Sequence, residues 1–279
     1  METIKNIFIA LFFILLLVGL SYLYTGYRNK QKSSEENNKV GADSTPRPAY
    51  RQFKTSFEEM SDFQNFYIVP RDYKGTTHEL SQSVVHEGKY AHKAVVYQAS
   101  KPSNLFQNNN HRGYPTIQLY KTNGGAFRCP CDITFWVWAD AELRARAGEN
   151  EWLSFATFTS DETDSWKNTV LVNLSYDGFV HLMHVPVNGK SEWEFQTKEI
   201  KFPMKQWVKI RVYLDISSEG YAKVWQDGKL VSSAKVKGTN GKLAQAHFGL
   251  YAAPSVSQMT VYNDDLSIRE VADEKSASE

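Results

Sequence analysis

Alternating apolar and polar residues dominate the chain between residues 206 and 252. Within it, the apolar residues of positions 208–214 alternate with charged residues and a tyrosine, the period of two that is typical of a half-buried strand. A second run reaches Asp227-Gly228 and a third run returns from it. Asp-Gly favours a type I′ hairpin turn, because both central residues of that turn need a positive φ. With a further run at residues 247–251, the segment predicts consecutive antiparallel strands of one large β-sandwich.

Similar patterns continue through the rest of the chain. Tight-turn dipeptides recur at Asn123-Gly124, Asp177-Gly178, Asn188-Gly189 and Asn240-Gly241. The alternation between turns predicts strands near residues 52–58, 81–86, 91–98, 115–121, 132–139, 152–159, 169–175, 179–185 and 259–268. Outside the amino-terminal region, no segment longer than about ten residues has a helical apolar face. We therefore predict an all-β, two-sheet antiparallel sandwich of the jelly-roll kind.

The amino-terminal region has a different character. Residues 7–24 are apolar and uncharged, a stretch of about 18 residues that nearly suffices for a helix to cross a bilayer. A cleaved signal peptide is the alternative, but the bulky residues 21–24 do not provide a small-x-small cleavage site. We expect residues 1–27 to form a membrane anchor, one transmembrane helix acting as an uncleaved signal anchor.

Composition divides the remainder into a linker, a domain and a tail. Residues 28–50 are polar and contain Ser, Gly and Pro, which predicts a flexible tether. Residues 51–271 contain the strand patterns, and the small and charged residues 272–279 predict a disordered tail. The basic residues after the apolar stretch favour a cytoplasmic domain by the positive-inside rule, but large domains often translocate regardless of flanking charge. We expect the domain to be extracytoplasmic.

Overall composition excludes several classes of protein. Hydrophobic residues make up 42% of the chain and aromatic residues 14%, enough for a substantial core and incompatible with global disorder. The formal net charge is +1, and no long basic run follows the amino-terminal flank, so we expect no nucleic-acid partner. The two cysteines, Cys129 and Cys131, are too few for a zinc site. We expect two unpaired structural thiols, with a strained disulfide or redox pair as the alternative.

Side-chain parity indicates which residues point away from the core. A two-residue loop at Asp177-Gly178 would place Leu174 opposite His181. The face predicted to meet the core then carries Val170, Val172, Leu174, His181, Met183 and Val185. The outward face carries Leu171, Asn173, Ser175, Leu182 and His184.

Two more predicted strands extend the outward face. In the strand at residues 246–252, Phe248 and Leu250 are predicted to point inward. In the strand at residues 115–121, Ile117 and Leu119 are predicted to point inward, so polar residues of both strands point outward. If these strands share a sheet, its outer surface carries amides, imidazoles and phenols, groups that hydrogen-bond to sugars and stack on them. This candidate ligand-binding set is Gln118, Tyr120, Asn173, His184, His247 and Tyr251. The alternative is a solvated sheet face that binds nothing.

Other residues admit two interpretations. Trp136 and Trp138 share a strand face and form either a sugar-stacking platform or part of the core. The acidic loop of residues 161–164 either holds a structural calcium ion or is a solvated turn. Asn263-Asp264-Asp265 presents the same choice, with a hydrogen-bonded turn as the alternative. We expect no other cofactor, because no nucleophile elbow, phosphate loop or metal-ligand helix is present.

Several stretches resemble the concanavalin A-like lectin/glucanase superfamily. They are Trp207 to Asp215, KVWQDGKLV at residues 223–231, FGLY at 248–251 and VYNDDLSI at 261–268. Within that superfamily the chain is similar to laminin-G-like domains and to jelly-roll polysaccharide lyases of the alginate and heparin lyase types. The similarity covers roughly residues 53–271 and implies a concave sheet that faces a polysaccharide or other glycan.

The resemblance also implies roles for a lyase. Lyase members abstract the proton next to a uronate carboxylate; an amide or arginine neutralises the carboxylate, while His or Tyr serves as base and acid. By resemblance, Gln118 or Asn173 takes the first role, and His184 and Tyr251 the second.

The chain departs from the alginate-lyase pattern at three strands. Gln245 and His247 stand where that type has Tyr-x-Lys, residues 152–159 lack its Gln-x-His, and residues 115–121 lack its arginine, Arg112 being the nearest. We therefore expect a membrane-tethered carbohydrate-binding domain without assigned catalytic residues. A polysaccharide lyase or glycoside hydrolase, and a non-catalytic protein-interaction domain, are the alternatives.

Overall fold

The computed structural model describes residues 50–59, 66–68, 75–100, 109–163, 165–186, 192–193, 195–218, 220–236 and 240–276. These residues form antiparallel strands and one 3-10 turn, Leu119–Lys121, which confirms the all-β prediction. The predicted anchor and residues 28–49 of the predicted linker lie outside the described residues, as does the turn at Asn188-Gly189. In the described part of the chain, no helix has the length and apolarity that crossing a membrane requires.

The strands fall into two large sheets and a short ribbon. In chain order they are β1 (Gln52–Thr55), β2 (Phe66–Ile68), β3 (Thr76–Ser81), β4 (Ala91–Val96), β5 (His111–Gly113), β6 (Pro115–Gln118), β7 (Phe127–Arg128), β8 (Cys131–Ala141), β9 (Trp152–Thr159), β10 (Thr169–Ser175), β11 (Val180–Val185), β12 (Glu192–Trp193), β13 (Phe195–Gln196), β14 (Val208–Asp215), β15 (Tyr221–Gln226), β16 (Lys229–Lys235), β17 (Lys242–Leu243), β18 (Gln245–Ala252) and β19 (Met259–Glu270). Sheet A has the order β13-β16-β15-β14-β8-β19-β4-β3, with β1 paired to β19. Sheet B has the order β12-β11-β10-β9-β18-β6-β2, with β5 paired to β18, and β7 pairs with β17.

The hydrophobic core lies between sheets A and B. Alternate residues of β8, including Phe135, are fully buried, as are alternate residues of β18, including Phe248. The Phe135 and Phe248 rings meet edge to face with centroids 5.1 Å apart, so the two sheets contact each other directly. The period of two in the sequence thus places one side of each sheet in a shared interior.

The opposite side of β8 carries Trp136 and Trp138, which lie on the outer face of sheet A and not in the core. Both are half-buried because other rings cover them. Trp136 stacks on His86 with centroids 3.9 Å apart, and Trp138 meets Tyr262 edge to face at 5.3 Å.

The predicted hairpin at Asp227-Gly228 is confirmed. Its two residues have φ of 48° and 80°, the positive values that a type I′ turn requires, and they join β15 to β16. Two other predicted strand segments differ from the structure. Residues 82–90 form bends because the backbone N–H groups of His86 and Glu87 donate to the Asp264 carboxylate and not to a sheet ladder. The segment at 115–121 leaves the sheet after Gln118 and enters the 3-10 turn.

The predicted register of β10 and β11 is wrong by one residue. Leu174 pairs with Val180 and not with His181, because the connecting turn is longer than two residues. The Ser175 backbone N–H donates to the Phe179 carbonyl at 3.1 Å and the Ser175 hydroxyl donates to Asp177, which holds the longer turn together. A slip of one residue moves every side chain of a strand to the other face.

The slip reverses the predicted faces of β11. Leu182 and His184 point into the core, whereas His181, Met183 and Val185 point outward beside Asn173. The fully buried His184 donates from Nδ1 to the Thr169 carbonyl at 3.1 Å. This hydrogen bond gives His184 a structural role in the interior, away from the outward face predicted for it.

The carboxyl-terminal tail begins with an ordered turn. The Asp273 carboxylate accepts a hydrogen bond from the Ser276 backbone N–H at 2.8 Å. Glu274 lies against sheet A, where it accepts from Lys223 at 2.7 Å and from the Tyr221 hydroxyl at 3.1 Å. The part of the predicted disordered tail that the structure describes is therefore hydrogen-bonded.

Candidate functional site

A cleft of about 550 Å³ lies on the outer face of sheet B, the side away from the core. Strands β9, β10, β11 and β18 form its floor, through Trp152, Leu171, Asn173, Ser175, His181, Met183, Val185 and Tyr251. The walls come from residues 148–151 and from Tyr176, Asp177, Gln196 and Lys198. Strands β9 and β10 of the floor are buried on both faces. One face of each strand packs against the core, and the opposite face lies beneath this cleft and its surroundings.

Asn173 provides a hydrogen-bond acceptor in the floor of the cleft. Its side chain is only 3% exposed, and its Nδ2 donates to the Met183 sulfur at 3.5 Å. Oδ1 of Asn173 is buried and has no hydrogen-bond partner among the described residues. A buried amide oxygen without a partner is costly, since it has lost its bonds to water. A ligand hydroxyl would supply the missing donor.

Two aromatic rings line the same cleft as this acceptor. Trp152 and Tyr251 meet edge to face with centroids 5.1 Å apart, and both side chains are half-buried. The Tyr251 hydroxyl accepts a hydrogen bond from Asn110 Nδ2 at 2.7 Å, which fixes the ring. Aromatic faces beside an amide provide an apolar surface together with a directional hydrogen bond, the combination that a sugar ring requires.

His181 contributes a neutral imidazole to the cleft. Burial lowers its pKa to about 4, although the Phe179 carbonyl and the Asp177 carboxylate act in the opposite direction. At neutral pH the ring is therefore uncharged. It offers one nitrogen as donor and the other as acceptor, and adds no positive charge to the cleft.

The charged residues around the cleft are paired with one another. Lys198 Nζ lies 2.7 Å from Asp177 Oδ2. Burial disfavours the ionised form of Asp177, but hydrogen bonds from Lys198 and Ser175 outweigh it and hold its pKa below the ordinary value. Arg146 Nε lies 2.5 Å from Glu151 Oε1, and Glu151 is 2% exposed. These pairs leave the rim stable and nearly self-neutralised.

His247 lies beside Tyr251 on β18 but under a cover of rings. Its ring centroid is 3.8 Å from that of Tyr114 and 4.6 Å from that of Trp166, which stacks on it at 19°. Both ring nitrogens are buried without a hydrogen-bond partner in the part of the chain that the structure describes. Burial, and then the positive charge of Arg112, lower the pKa of His247 well below its ordinary value.

The remaining predicted residues lie farther along sheet B. Gln118 faces the same side as His247, because β6 and β18 pair Gln118 with Gln245. Its Nε2 donates to the Tyr120 hydroxyl at 3.2 Å, and neither residue lines the cleft. The structure therefore brings only Asn173 and Tyr251 of the predicted set into the cleft, with His247 adjacent and His184 in the core.

Several residues of the site carry no clear signal in the sequence. Trp152 begins a strand whose faces the pattern does not distinguish, and the register slip hides the outward position of His181. Asn110 and Trp166 belong to segments without periodicity and reach the site only through tertiary contacts.

The first acidic loop is stabilised internally. The Asp161 carboxylate accepts from the Thr163 backbone N–H at 2.8 Å and from the Lys167 backbone N–H at 3.0 Å. Burial alone would raise the pKa of Asp161, but these hydrogen bonds lower it. Asp161 therefore organises its own loop, beside the strand that carries His247.

The second acidic segment lies on sheet A, away from the cleft. Asp264 accepts from the backbone N–H groups of His86 and Asp265, and burial raises its pKa to about 6. His86, Glu87 and Asp265 each place one potential ligand atom within 4.8 Å of the others. Among the described residues these three side chains are the group with the spacing to hold a metal ion.

Comparison with known proteins supports the fold. No protein-family model matches the chain, and no curated protein matches its sequence. The structure resembles the endo-β-1,4-glucuronan lyase of the fungus Trichoderma reesei, with a TM-score of 0.54 and 14% identity over 78% of this chain and 95% of the lyase. It also resembles the cellulose induced protein Cip1, with a TM-score of 0.50 and 16% identity over 77% of this chain and 96% of Cip1. The chain therefore shares a jelly-roll β-sandwich fold with these proteins.

Proposed function

We propose that the protein binds a glycan in the cleft of sheet B. The observation that carries the proposal is the buried Asn173 Oδ1, an acceptor without a partner among the described residues, in a floor that also presents Trp152 and Tyr251. A volume of about 550 Å³ lies in the range of small-molecule sites. The fold shared with a protein named for its action on glucuronan supports the choice of a glycan as ligand.

Binding to a glycan array tests the proposal, with the full chain in detergent micelles. Any glycan that binds is then titrated against Asn173→Ala, which removes the acceptor and should weaken binding about tenfold or more. Asn263→Ala is the matched control. It removes an equally buried amide, whose Oδ1 is also unpartnered among the described residues, but from β19 on the other sheet. Equal affinities of the two variants would contradict the proposed site.

A polysaccharide lyase is the second candidate function. It is favoured by the Tyr251 hydroxyl, which lies 2.7 Å from the Asn110 amide and on the strand that pairs with Arg112. In such an elimination a tyrosine takes the proton next to the uronate carboxylate, the C4–O bond breaks, and the leaving glycosidic oxygen is protonated, while an amide and an arginine stabilise the charge that develops on the carboxylate. Appearance of unsaturated products from uronate polymers, and their loss in Tyr251→Phe, would support this function.

Glycoside hydrolysis has less support in the cleft. Hydrolases of the usual kind place two carboxylic groups on either side of the scissile bond. Of the carboxylates that line the described cleft, Glu151 and Asp177 are bound in ion pairs, which leaves Glu149 at the rim.

We further propose that residues 1–27 anchor the domain in a membrane, with residues 28–50 as a tether and residues 51–271 as the extracytoplasmic binding domain. The apolar, uncharged stretch at residues 7–24 supports the anchor. Retention in the membrane pellet after alkaline extraction tests it, and protease digestion of intact cells tests the orientation. Release into the supernatant, or protection from external protease, would contradict the respective claim.

A further inference from the structure

We infer that the cleft selects uncharged sugars and discriminates against polyuronates. The inference rests on the proposed glycan binding and specifies its ligand class. Three features of the cleft carry it: the free hydrogen-bonding atom is an acceptor, the described lining has no unpaired cation, and the carboxylate of Glu149 at the mouth has no cationic partner in that lining.

The free atom of Asn173 is an acceptor and not a donor. Met183 sulfur can only accept, so the Asn173 amide must turn its NH₂ group toward that sulfur, at 3.5 Å. This leaves Oδ1 as the buried atom without a partner among the described residues. A sugar hydroxyl can donate to Oδ1, whereas an ionised carboxylate would place its own lone pairs against it.

Lys198 is the only lysine or arginine in the described lining of the cleft, and it already has an anionic partner. Its Nζ lies 2.7 Å from Asp177 Oδ2. The Asp177 carboxylate is fixed in turn by the Ser175 hydroxyl. A uronate that approached Lys198 would have to share its ammonium with Asp177, whose negative charge opposes that of the uronate.

Among the carboxylates of the described lining, Glu149 is the one without a cationic partner. Asp177 pairs with Lys198 at 2.7 Å. Glu151 is neutralised from behind, since it accepts from Arg146 Nε at 2.5 Å and from the Arg144 backbone N–H at 2.9 Å. The exposed Glu149 therefore adds a negative charge at the mouth of the cleft, which repels a polyanion.

His181 does not supply the missing positive charge. It is 1% exposed, and burial keeps its imidazole uncharged at neutral pH. Arg112 lies opposite Tyr251 on β5, on the same face of the sheet, but its charge acts on the adjacent His247, outside the lining of the cleft. A carboxylate that entered over Asn173 would thus lose water without gaining a cation, a cost that a hydroxymethyl group does not incur.

Matched oligosaccharides that differ only at C6 test the inference. Hexamers of β-1,4-glucose and β-1,4-mannose are compared with the β-1,4-glucuronate and β-1,4-mannuronate hexamers, by calorimetry with the full chain in detergent at pH 7 and low salt. We expect the neutral member of a binding pair to bind at least about tenfold more tightly, and added salt to narrow the difference. Tighter binding of a uronate hexamer would overturn the inference but leave glycan binding intact. If neither these hexamers nor any glycan of the array binds, the proposed function itself fails.

Variants of Glu149, at the rim of the cleft, provide a second test. Glu149 is exposed at the rim, so Glu149→Lys and the matched Glu149→Gln should both fold. If repulsion excludes uronates, Glu149→Lys should raise the affinity for the uronate hexamer relative to that for the neutral hexamer at least about threefold, and Glu149→Gln, which keeps an oxygen to accept from Trp152 Nε1, should raise that ratio less. Uronate affinity that is the same in both variants and the unaltered protein would contradict the electrostatic basis of the inference.

Discussion

Replacing Glu270 with glutamine should destabilise the sandwich, because this carboxylate joins the beginning of the domain to its last strand. The Glu270 side chain is 1% exposed and accepts from Arg51 Nη2 at 2.6 Å and from the Arg128 backbone N–H at 2.8 Å. Removing one partner of a buried ion pair costs about 3–5 kcal/mol. Arg51 and Arg128 keep 24% and 51% of their side chains exposed, so water offsets part of that cost. We expect a loss of about 2 kcal/mol in the free energy of unfolding, or about 4–8 °C in Tm.

The pH dependence of this loss follows from the pKa of Glu270. Burial would raise that pKa, but hydrogen bonds from Arg51 and Arg128 outweigh burial and lower it. Stability gained from a lowered carboxylate pKa is complete above the unfolded-state pKa of about 4.3 and is lost as pH falls through the folded-state pKa. The difference in Tm between the unaltered protein and Glu270→Gln should therefore be constant from about pH 6 to 8, because that interval lies above the unfolded-state pKa. The difference should shrink below about pH 4.

Thermal unfolding monitored by circular dichroism measures both effects. Glu274→Gln is the control, because Glu274 pairs with Lys223 where both side chains are about a third exposed. Surface pairs of this kind contribute at most about 1 kcal/mol, so this variant should lower Tm by no more than about 2–4 °C. A Tm of Glu270→Gln that differs from that of the unaltered protein by less than about 1 °C at pH 7, roughly the resolution of the assay, would refute this stabilising role of Glu270.

Further predictions concern the hairpin turn and the cysteines. Gly228→Ala should lower the free energy of unfolding by about 1 kcal/mol, because Gly228 has a φ of 80°, which alanine adopts at a cost. No atom lies near the added Cβ, so this cost is purely conformational, and an unchanged Tm would contradict it. Cys129 should be alkylated well before Cys131, since Cys131 is fully buried and its pKa is raised by the hydrogen bond with Cys129 and by burial. Peptide mass spectrometry over time measures the two rates, and equal rates would show that this difference in environment is absent in solution.

The parts of the fold that the sequence predicts are those specified by local rules. Asp227-Gly228 determines its own turn, and the alternation in β14 identifies the core face of that strand without knowledge of any neighbour. Asp177-Gly178 also promotes a turn, but the loop closes through the Ser175 backbone N–H, which donates to the Phe179 carbonyl, and through the Ser175 hydroxyl, which donates to Asp177. The loop is longer than the predicted two residues, which shifts the register and moves His184 into the core.

The candidate site was predictable only where parity alone decides the direction of a side chain. Asn173 and Tyr251 point outward, as the predicted parity of their strands requires, and both line the cleft. His247 also points outward, as the alternation predicts, but Trp166, which lies in a loop with no periodic pattern, covers its ring. Contacts of this kind depend on the path of loops between strands, which hydrophobic periodicity does not encode.

The most direct test of glycan binding in the cleft follows the side-chain amide signals of the chain by NMR during titration with an oligosaccharide that binds. The account predicts that the Asn173 NH₂ resonances shift with the same dissociation constant as the binding isotherm, because a donor reaches Oδ1 of the same amide. The resonances of Asn263, equally buried on the other sheet, should stay in place. Saturable binding that leaves the Asn173 resonances unmoved would contradict the account.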